Sequence, residues 1–333
     1  MFDKKTILTG VKPTGTPHLG NYLAAIKPAI ELAKNTDKHY MFIADYHAIN
    51  AEKDPLVLGQ KIKEVACTYL ALGLNPAHSV FYRQSDIPEI TEITTILYAY
   101  TPKGFMNKAH AYKACIDKNR EAGKPDDDGI NMGLYTYPTL MAADILSFDT
   151  DIVPVGKDQV QHVEIARDIA GAINAHYGKE LLHLPEYYLA ENVAIVPGVD
   201  GRKMSKSYDN IIPLMAPEKE LKKKIMRIIT DSKTPEEPKD PDTSTIYQLY
   251  KFFATESESA EFAKMFRNGG MGYGTAKTIL FEKVNSVLAN QRTEYERLLA
   301  NKSEIDAILA DGAMRARAVA KQTLERVKKA MLG

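Results

Sequence analysis

The chain has 333 residues, of which 44% are hydrophobic and 26% charged, and its formal net charge is zero. This length suits two compact units, or one core domain with a helical appendage. The balanced charge excludes a strongly basic RNA-coating protein, although local basic patches could still meet an RNA backbone.

Strand-like and helix-like segments alternate through the first half of the chain. Short apolar runs predict strands at 6–9, 40–44, 79–82 and 151–155. Apolar residues at helical spacing predict helices that begin near residues 19, 54, 89, 132 and 158. This alternation predicts an α/β fold with a Rossmann-like, doubly wound parallel sheet and helices on both faces. Ligands of such sheets lie beyond the carboxyl ends of the strands.

The second half has a different character. A polar segment at 117–130 predicts a mobile loop, and 184–202 predicts an irregular connector. From residue 217 the pattern is helical, and the last two helices are predicted at 275–300 and 303–331. We expect a catalytic domain at 1–195, a mobile loop at 196–210, an all-helical domain at 211–300, and a C-terminal helix at 301–333 that could pack back on the catalytic domain.

Two short motifs carry the first chemical signal. Residues 13–21 read PTGTPHLGN between the first strand and the first helix, where a helix start offers unpaired N–H groups to an anion. Gly20 leaves room for a nucleotide near the backbone, and His18 and Asn21 supply hydrogen-bond donors. Residues 203–207 read KMSKS and suit a flexible basic arm. Alone, each motif is better explained as a capped helix or a solvated turn.

Together, the two motifs resemble the signatures of class I aminoacyl-tRNA synthetases. Three segments are similar to tryptophanyl-tRNA synthetases: GVKPTGTPHLGNYLAAI at 10–26, YPTLMAADIL at 137–146 and VPVGKDQVQH at 153–162. The specific resemblance covers the chain up to about residue 210. It implies a tryptophan–tRNA ligase that activates L-tryptophan with ATP and Mg²⁺, forms tryptophanyl-adenylate and transfers the amino acid to tRNA(Trp).

The resemblance also implies which residues act on ATP. The catalytic residues would be Lys203, Lys206, His18 and Asn21, and Mg²⁺ would be bound through ATP without a protein ligand. The expected ATP contacts are Lys12, Pro13, Thr14, His18, Gly20, Asn21, Gly156, Lys157, Asp158, Lys203, Met204, Ser205, Lys206 and Ser207. Lys12 and Lys157 depart from the glutamine and glutamate that the family often has there. Lys113 could be a further phosphate contact or a solvated helix lysine.

The helix predicted at 132–148 suggests how an amino acid is recognised. Tyr137, Met141 and Asp144 are four and three residues apart and therefore share one face. A carboxylate among apolar residues needs a donor, and an indole N–H is one, while Met141 offers a polarizable contact. The pattern alone fits a carboxylate paired within the fold equally well. The resemblance favours Asp144 as the indole acceptor, with Gln159 and Tyr137 holding the ammonium group. His47 would line the pocket, or else be a hydrogen-bonded core histidine.

The expected binding partners are implied by the resemblance to the family and not by a pattern in the residues themselves. It implies tRNA(Trp) bound across a homodimer, to which the apolar segment 93–100 could contribute. Basic residues that could meet the tRNA, or simply form solvated helix faces, are Lys219, Lys222, Lys223, Lys224, Arg227, Arg315, Arg317, Lys321, Arg326, Lys328 and Lys329. We expect a cytoplasmic protein without a membrane span, since there is no secretory signal and only two cysteines.

Three alternatives stay open on the sequence. A tyrosyl-tRNA synthetase shares the fold and the reaction class. A small-molecule nucleotidyltransferase shares the His-x-Gly type of helix start. A catalytically idle paralogue could sense tryptophan or bind RNA, although the intact His18, Asn21, Lys203 and Lys206 speak against it.

Overall fold

The protein is described here by a computed structural model that covers residues 2, 4–15, 17–36, 38–189 and 195–333. Within these residues five strands form one parallel sheet in the order β3-β2-β1-β4-β5. The strands are β1 (Thr6–Val11), β2 (Lys38–Ile43), β3 (Ser79–Arg83), β4 (Ile152–Pro154) and β5 (Glu186–Tyr188). The predicted α/β class is therefore confirmed.

Helices connect the strands, and every regular element described after β5 is helical. Those of the first half are α1 (Leu19–Asn21), α2 (Lys27–Ala33), α3 (Asp45–Ala48), α4 (Pro55–Ala71), α5 (Pro88–Tyr98), α6 (Lys103–Lys108), α7 (His110–Glu121), α8 (Met132–Leu146) and α9 (Val160–Tyr177). The others are α10 (Glu218–Met226), α11 (Thr245–Lys251), α12 (Glu256–Asn268), α13 (Tyr273–Ala300) and α14 (Lys302–Leu332). Among the described helices, none combines the length and apolar character that a membrane crossing requires.

Both faces of the sheet are buried. Met41 and Ile43 belong to one apolar cluster, whereas Phe42, between them, belongs to another. Alternate residues of a strand point to opposite faces, so this division places helices on both sides of the sheet. The edge strand β3 is covered by α14, where a Cβ on Gly312 would lie only 1.9 Å from the carbonyl oxygen of Phe81. The glycine allows this close approach, and the helix α14 then protects the sheet edge from pairing with other chains.

The topology fixes where a ligand can bind. Strand β1 pairs with β2 on one side and with β4 on the other. The strands that follow β1 in the chain are therefore added first on one side of it and then on the other. A crevice opens at this reversal, beyond the carboxyl ends of β1 and β4. The segments that begin at Lys12 and at Val155 emerge at this crevice.

Three local features differ from the sequence predictions. A π-helical turn at Tyr22–Ile26 separates α1 from α2, and Pro28, which has no N–H to continue the α pattern, follows it. The connector at 184–202 contains β5, a strand of three residues that is too short to show a period. The segment at 117–130 is helical as far as Glu121.

The remainder of that segment folds back on the helix that precedes it. The side chain of Asn119 donates to the carbonyls of Asp126 and Asp128 at 2.9 Å, and Arg120 pairs with Asp126. These contacts order a stretch whose composition predicted a mobile loop.

Candidate active site

The first predicted motif forms a cap at the start of α1. The Nδ1 atom of His18 accepts the backbone N–H of Asn21 at 3.2 Å, and Asn21 Oδ1 accepts the N–H of His18 at the same distance. A backbone N–H can only donate, so a neutral His18 must carry its proton on Nε2. Burial, with a smaller contribution from Lys206, lowers the pKa of His18 to about 4. At neutral pH the ring therefore offers Nε2–H to a ligand.

Gly20 has a structural reason that the sequence did not reveal. A Cβ there would lie 2.9 Å from the His18 ring and 3.3 Å from Cβ of Met204. The space left by the missing side chain is filled by the ring of His18 and by Met204 of the second motif, which are parts of the protein itself and not of a nucleotide. The N–H of Gly20 also points at Sδ of Met204, at 3.3 Å.

The lysine motif lies directly over this cap, although it is 184 positions away in the chain. Met204 is buried, and Nζ of Lys206 donates to the carbonyl of Thr14 at 3.0 Å. A cleft of about 490 Å³ lies between the two motifs and is lined by Thr14, His18, Asn21, Lys203, Met204, Ser205, Lys206 and Tyr208. The structure thus brings the predicted catalytic residues together.

The charge of this cleft suits an anion. Neighbouring protein atoms partly desolvate the exposed amino group of Lys206 and lower its pKa, and the charge of Lys61 lowers it further. The same desolvation lowers the pKa of Lys12. Lys206 donates to a neutral carbonyl rather than to a carboxylate, so its charge is not compensated by that contact. A bound phosphate would supply the missing negative charge.

The other predicted ATP contacts lie outside this cleft. Lys12 and Pro13 follow β1, whereas Gly156, Lys157 and Asp158 are exposed after β4 at the neighbouring strand end. Gly20 and Ser207 lie beside the lining residues in the chain. Lys113 is exposed on α7 and does not line the cleft.

Asn210, which sequence reasoning missed, organises the lysine loop. Its buried amide donates to Oδ1 of Asp200 at 2.7 Å and to the carbonyl of Lys203 at 3.0 Å. Its Oδ1 accepts the N–H of Ser205 at 2.8 Å. Gly198 lies opposite the Asn210 side chain and must lack a Cβ, because a Cβ there would lie 2.4 Å from the Asn210 amide. The nitrogen and the oxygen of this amide thus both form hydrogen bonds that fix the conformation of the loop.

Asp144 lies at the centre of a second cluster. The carboxylate is fully buried, and burial raises its pKa, an effect that hydrogen bonds from His47 and Gln84 oppose. Nε2 of Gln84 lies 2.9 Å from both carboxylate oxygens, and Nε2 of His47 lies 3.1 Å from Oδ2. Gln84 was missed by the sequence reasoning. Its position directly after the buried strand β3 was the available signal.

His47 connects Asp144 to the remaining predicted substrate contacts. Its side chain is 13% exposed, and its ring meets that of Tyr137 edge-on with centroids 6.1 Å apart. It is therefore hydrogen-bonded and still borders a partly open space. Met141 is half-buried and packs against the same apolar core as Ile145.

A hydrogen-bonded chain continues from Tyr137. Its hydroxyl bonds to Nε2 of His162, and Nδ1 of His162 lies 2.9 Å from Oε1 of Gln159. Burial, followed by the charge of His110, lowers the pKa of His162 to about 4, so the ring is neutral. With its proton on Nδ1, His162 donates to Gln159 and accepts from Tyr137, which leaves the lone pairs of the Tyr137 hydroxyl and one lone pair of Gln159 Oε1 for a ligand. His162 was also missed, although it lies three residues after Gln159.

Comparison with known proteins agrees with this architecture. The family model described as tRNA synthetases class I (W and Y) matches residues 3–289. The chain belongs to this family of class I synthetases.

Within the family, the similarity is to the tryptophan enzymes. The chain is 51% identical over 330 residues to a tryptophan–tRNA ligase of Neisseria meningitidis, covering 98% of each chain. It is 49% identical to the Pseudomonas aeruginosa enzyme, covering 98% of this chain and 73% of that one. The chain is thus a member of the bacterial tryptophanyl-tRNA synthetases, as its motifs predicted.

Solved structures support the same assignment. The tryptophanyl-tRNA synthetase of Campylobacter jejuni, described as complexed with ADP and tryptophan, has a TM-score of 0.91 and 43% identity, with 98% of this chain and 100% of that one covered. The tyrosyl-tRNA synthetase of Archaeoglobus fulgidus shares only the fold, with a TM-score of 0.59 and 19% identity. The tyrosyl alternative is therefore not supported.

Proposed function

We propose that this protein activates L-tryptophan with ATP to give tryptophanyl-adenylate, and then transfers the amino acid to tRNA(Trp). The observation that carries the proposal is the cationic cleft that the His18–Asn21 cap and the Lys203–Ser207 loop form together at the carboxyl edge of the sheet. The membership of the tryptophan enzymes and the Campylobacter complex with ADP and tryptophan support it.

The first step needs charge neutralisation and positioning rather than a base. The tryptophan carboxylate is already ionised when it attacks the α-phosphorus of ATP in line, and pyrophosphate leaves. Lys203 and Lys206 neutralise that leaving group. His18 donates through Nε2–H, and Asn21 through its amide N–H, to phosphate oxygens. A ribose hydroxyl of the terminal tRNA adenosine then attacks the activated carbonyl and loses its proton, the bond between that carbonyl and the phosphate breaks, and AMP leaves.

The other ATP contacts that we propose surround this centre. They are Lys12, Pro13, Thr14, Gly20, Gly156, Lys157, Asp158, Met204, Ser205 and Ser207. Mg²⁺ would be held by the phosphates of ATP rather than by protein side chains, and it would supply further charge neutralisation for pyrophosphate. The donor set fits this arrangement, because the charged side chains that line the cleft are lysines, which repel a free cation.

Tryptophan binds beside this cleft. Asp144 accepts the indole N–H, and Met141 and His47 border the ring. The ammonium group lies against the hydroxyl of Tyr137 and Oε1 of Gln159, both of which keep acceptor lone pairs after their bonds to His162. A site that presents a buried acceptor rejects phenylalanine, since that acceptor would remain unpaired.

Transfer RNA binds through the helical part of the chain. We assign residues 1–195 to catalysis, 196–210 to a loop that closes on ATP, and 211–300 to the anticodon. Lys219, Lys222, Lys223 and Arg227 are exposed on or just after α10 and suit a phosphate backbone.

The basic residues of α14 suit a different role. Arg317 pairs with Glu89, Arg326 with Asp149 and Lys328 with Glu92. These ion pairs attach the C-terminal segment 301–333, which contains α14, to the catalytic domain. Their charges are therefore not free for a tRNA. The active form is a cytoplasmic homodimer with a tRNA spanning both subunits.

The absence of tryptophan from the chain gives a direct test. Added L-tryptophan fluoresces over a tyrosine background, so its binding can be titrated with L-tyrosine as competitor. ATP–pyrophosphate exchange then measures activation. We expect saturable tryptophan binding, weak competition by tyrosine and exchange that depends on tryptophan. Exchange supported by tyrosine, or binding without exchange, would refute the proposal.

A further inference from the structure

Gln84 is held in a single orientation by the backbone. Its side chain is fully buried, and its Oε1 accepts the N–H of Tyr46 at 3.1 Å. Because a backbone N–H can only donate, the oxygen of the amide must face Tyr46. The amide nitrogen is therefore directed at Asp144, where it lies 2.9 Å from both carboxylate oxygens.

This arrangement decides which part of Asp144 stays available. A carboxylate has about four lone-pair positions. Gln84 spans the two oxygens, and His47 occupies a further position on Oδ2. Oδ1 has no other partner among the described residues and retains a free lone pair. The indole acceptor proposed above is thus oriented by Gln84 on one side and by His47 on the other.

We propose that Gln84 is a specificity-determining positioning residue, which holds Asp144 as a fixed acceptor and thereby sets the preference for tryptophan over isosteres without an indole N–H. The inference rests on the proposed role of Asp144 and adds a residue that the sequence motifs do not include. Gln84 acts only through the carboxylate.

The charges around Asp144 explain why it needs such support. Burial raises the pKa of its carboxyl group, and the nearby Asp45 raises it further. His47 on α3 opposes that rise together with Gln84, and Tyr82 on β3 is a neutral neighbour. Without the Gln84 amide, the carboxylate would take up a proton at a higher pH and lose its charge-assisted bond to the indole.

The test compares two substrates in ATP–pyrophosphate exchange. One is L-tryptophan, and the other is its isostere in which sulfur replaces the indole N–H. In Gln84→Met we expect the ratio of the two kcat/KM values to fall by about 10- to 100-fold, as for loss of a charge-assisted hydrogen bond. The loss should lie in the KM for tryptophan and shrink as pH rises, while the KM for ATP is unchanged. Equal losses for both substrates would overturn the inference.

A second variant guards against misfolding. Gln84→Leu removes the donors toward Asp144 with a different apolar side chain of similar size, so it should show the same loss of preference. Gln60→Met makes the same change as the first variant on the exposed face of α4, where the side chain of Gln60 donates to Glu64, and it should behave like the parent protein. If Gln84→Leu folds and keeps the full preference, the inference fails.

An Asp144→Ala arm separates this inference from the proposed function. If Asp144→Ala retains the preference for tryptophan, the proposed role of Asp144 is wrong and the inference falls with it. If Asp144→Ala loses the preference while both Gln84 variants keep it, only the inference about Gln84 is wrong.

Discussion

Removal of the Lys206 amino group should slow tryptophan activation much more than it weakens tryptophan binding. In the structure Nζ of Lys206 lies 3.0 Å from the carbonyl of Thr14, at the mouth of the cleft that we assign to the phosphates. The site of Asp144 is a separate cluster built on Gln84 and His47. Lys206→Ala therefore removes a charge that the leaving pyrophosphate needs and leaves the indole contacts in place.

The magnitude follows from the charge and its surroundings. Two unit charges about 4 Å apart interact by about 4 kcal/mol at an effective dielectric constant of about 20. Lys206 is exposed, and solvent screening lowers this value toward about 2 kcal/mol, which gives a range of about 2–4 kcal/mol. At about 1.36 kcal/mol per factor of ten, activation should slow by roughly 30- to 1,000-fold.

The assay pairs two measurements on the same variant. ATP–pyrophosphate exchange gives kcat, and tryptophan fluorescence without ATP gives the Kd for tryptophan. Lys264→Ala, an exposed lysine on α12, is the matched control and should change neither value. The reasoning is refuted if Lys206→Ala weakens tryptophan binding as much as it lowers kcat, or if kcat is unchanged.

Further predictions concern the substrate acceptor, the loop and acid stability. Asp144→Ala should lose discrimination against tyrosine and phenylalanine in ATP–pyrophosphate exchange, and unchanged discrimination would contradict its role. Asn210→Ala should raise the KM for ATP and lower kcat with little effect on the tryptophan Kd, because the loop loses the bonds at Asp200, Lys203 and Ser205. A normal KM for ATP would refute that. Burial lowers the pKa of His39 from its ordinary value of 6.5 to about 4. Its contribution to stability is therefore present at neutral pH and is lost as pH falls below the unfolded value, by about 2 kcal/mol at pH 5. Urea unfolding at pH 7 and pH 5 should show a smaller pH effect in His39→Gln than in the parent, and equal effects would contradict the assignment.

The fold was largely predictable because three of the strands are long and apolar. Strands β1, β2 and β3 have five or six residues each, and their buried runs appear directly in the sequence. Strand β5 was missed because three residues cannot display a period. The π-helical turn before α2 was missed because a periodic apolar pattern does not distinguish π from α hydrogen bonding over one turn.

The site was predictable only where residues form motifs. His18, Asn21 and Lys206 lie in two recognisable segments, and the structure brings those segments together. Gln84 and His162 are single polar residues whose importance depends on what they touch. The partner of Gln84 is 60 positions away, a contact that only the folded sheet creates.

The structural role of some motif residues was equally hidden. Gly20 lacks a side chain because the ring of His18 and the side chain of Met204 occupy that space. A sequence shows that a glycine is present, but the neighbour that excludes a Cβ is known only once distant segments have packed together.

The most direct test of the account is the structure of the complex with L-tryptophan and a non-hydrolysable ATP analogue. We expect the indole nitrogen about 3 Å from Oδ1 of Asp144, with Gln84 still bonded to that carboxylate and the phosphates between His18 and Lys206. An indole ring bound away from Asp144, or phosphates bound outside the cleft between the two motifs, would contradict it.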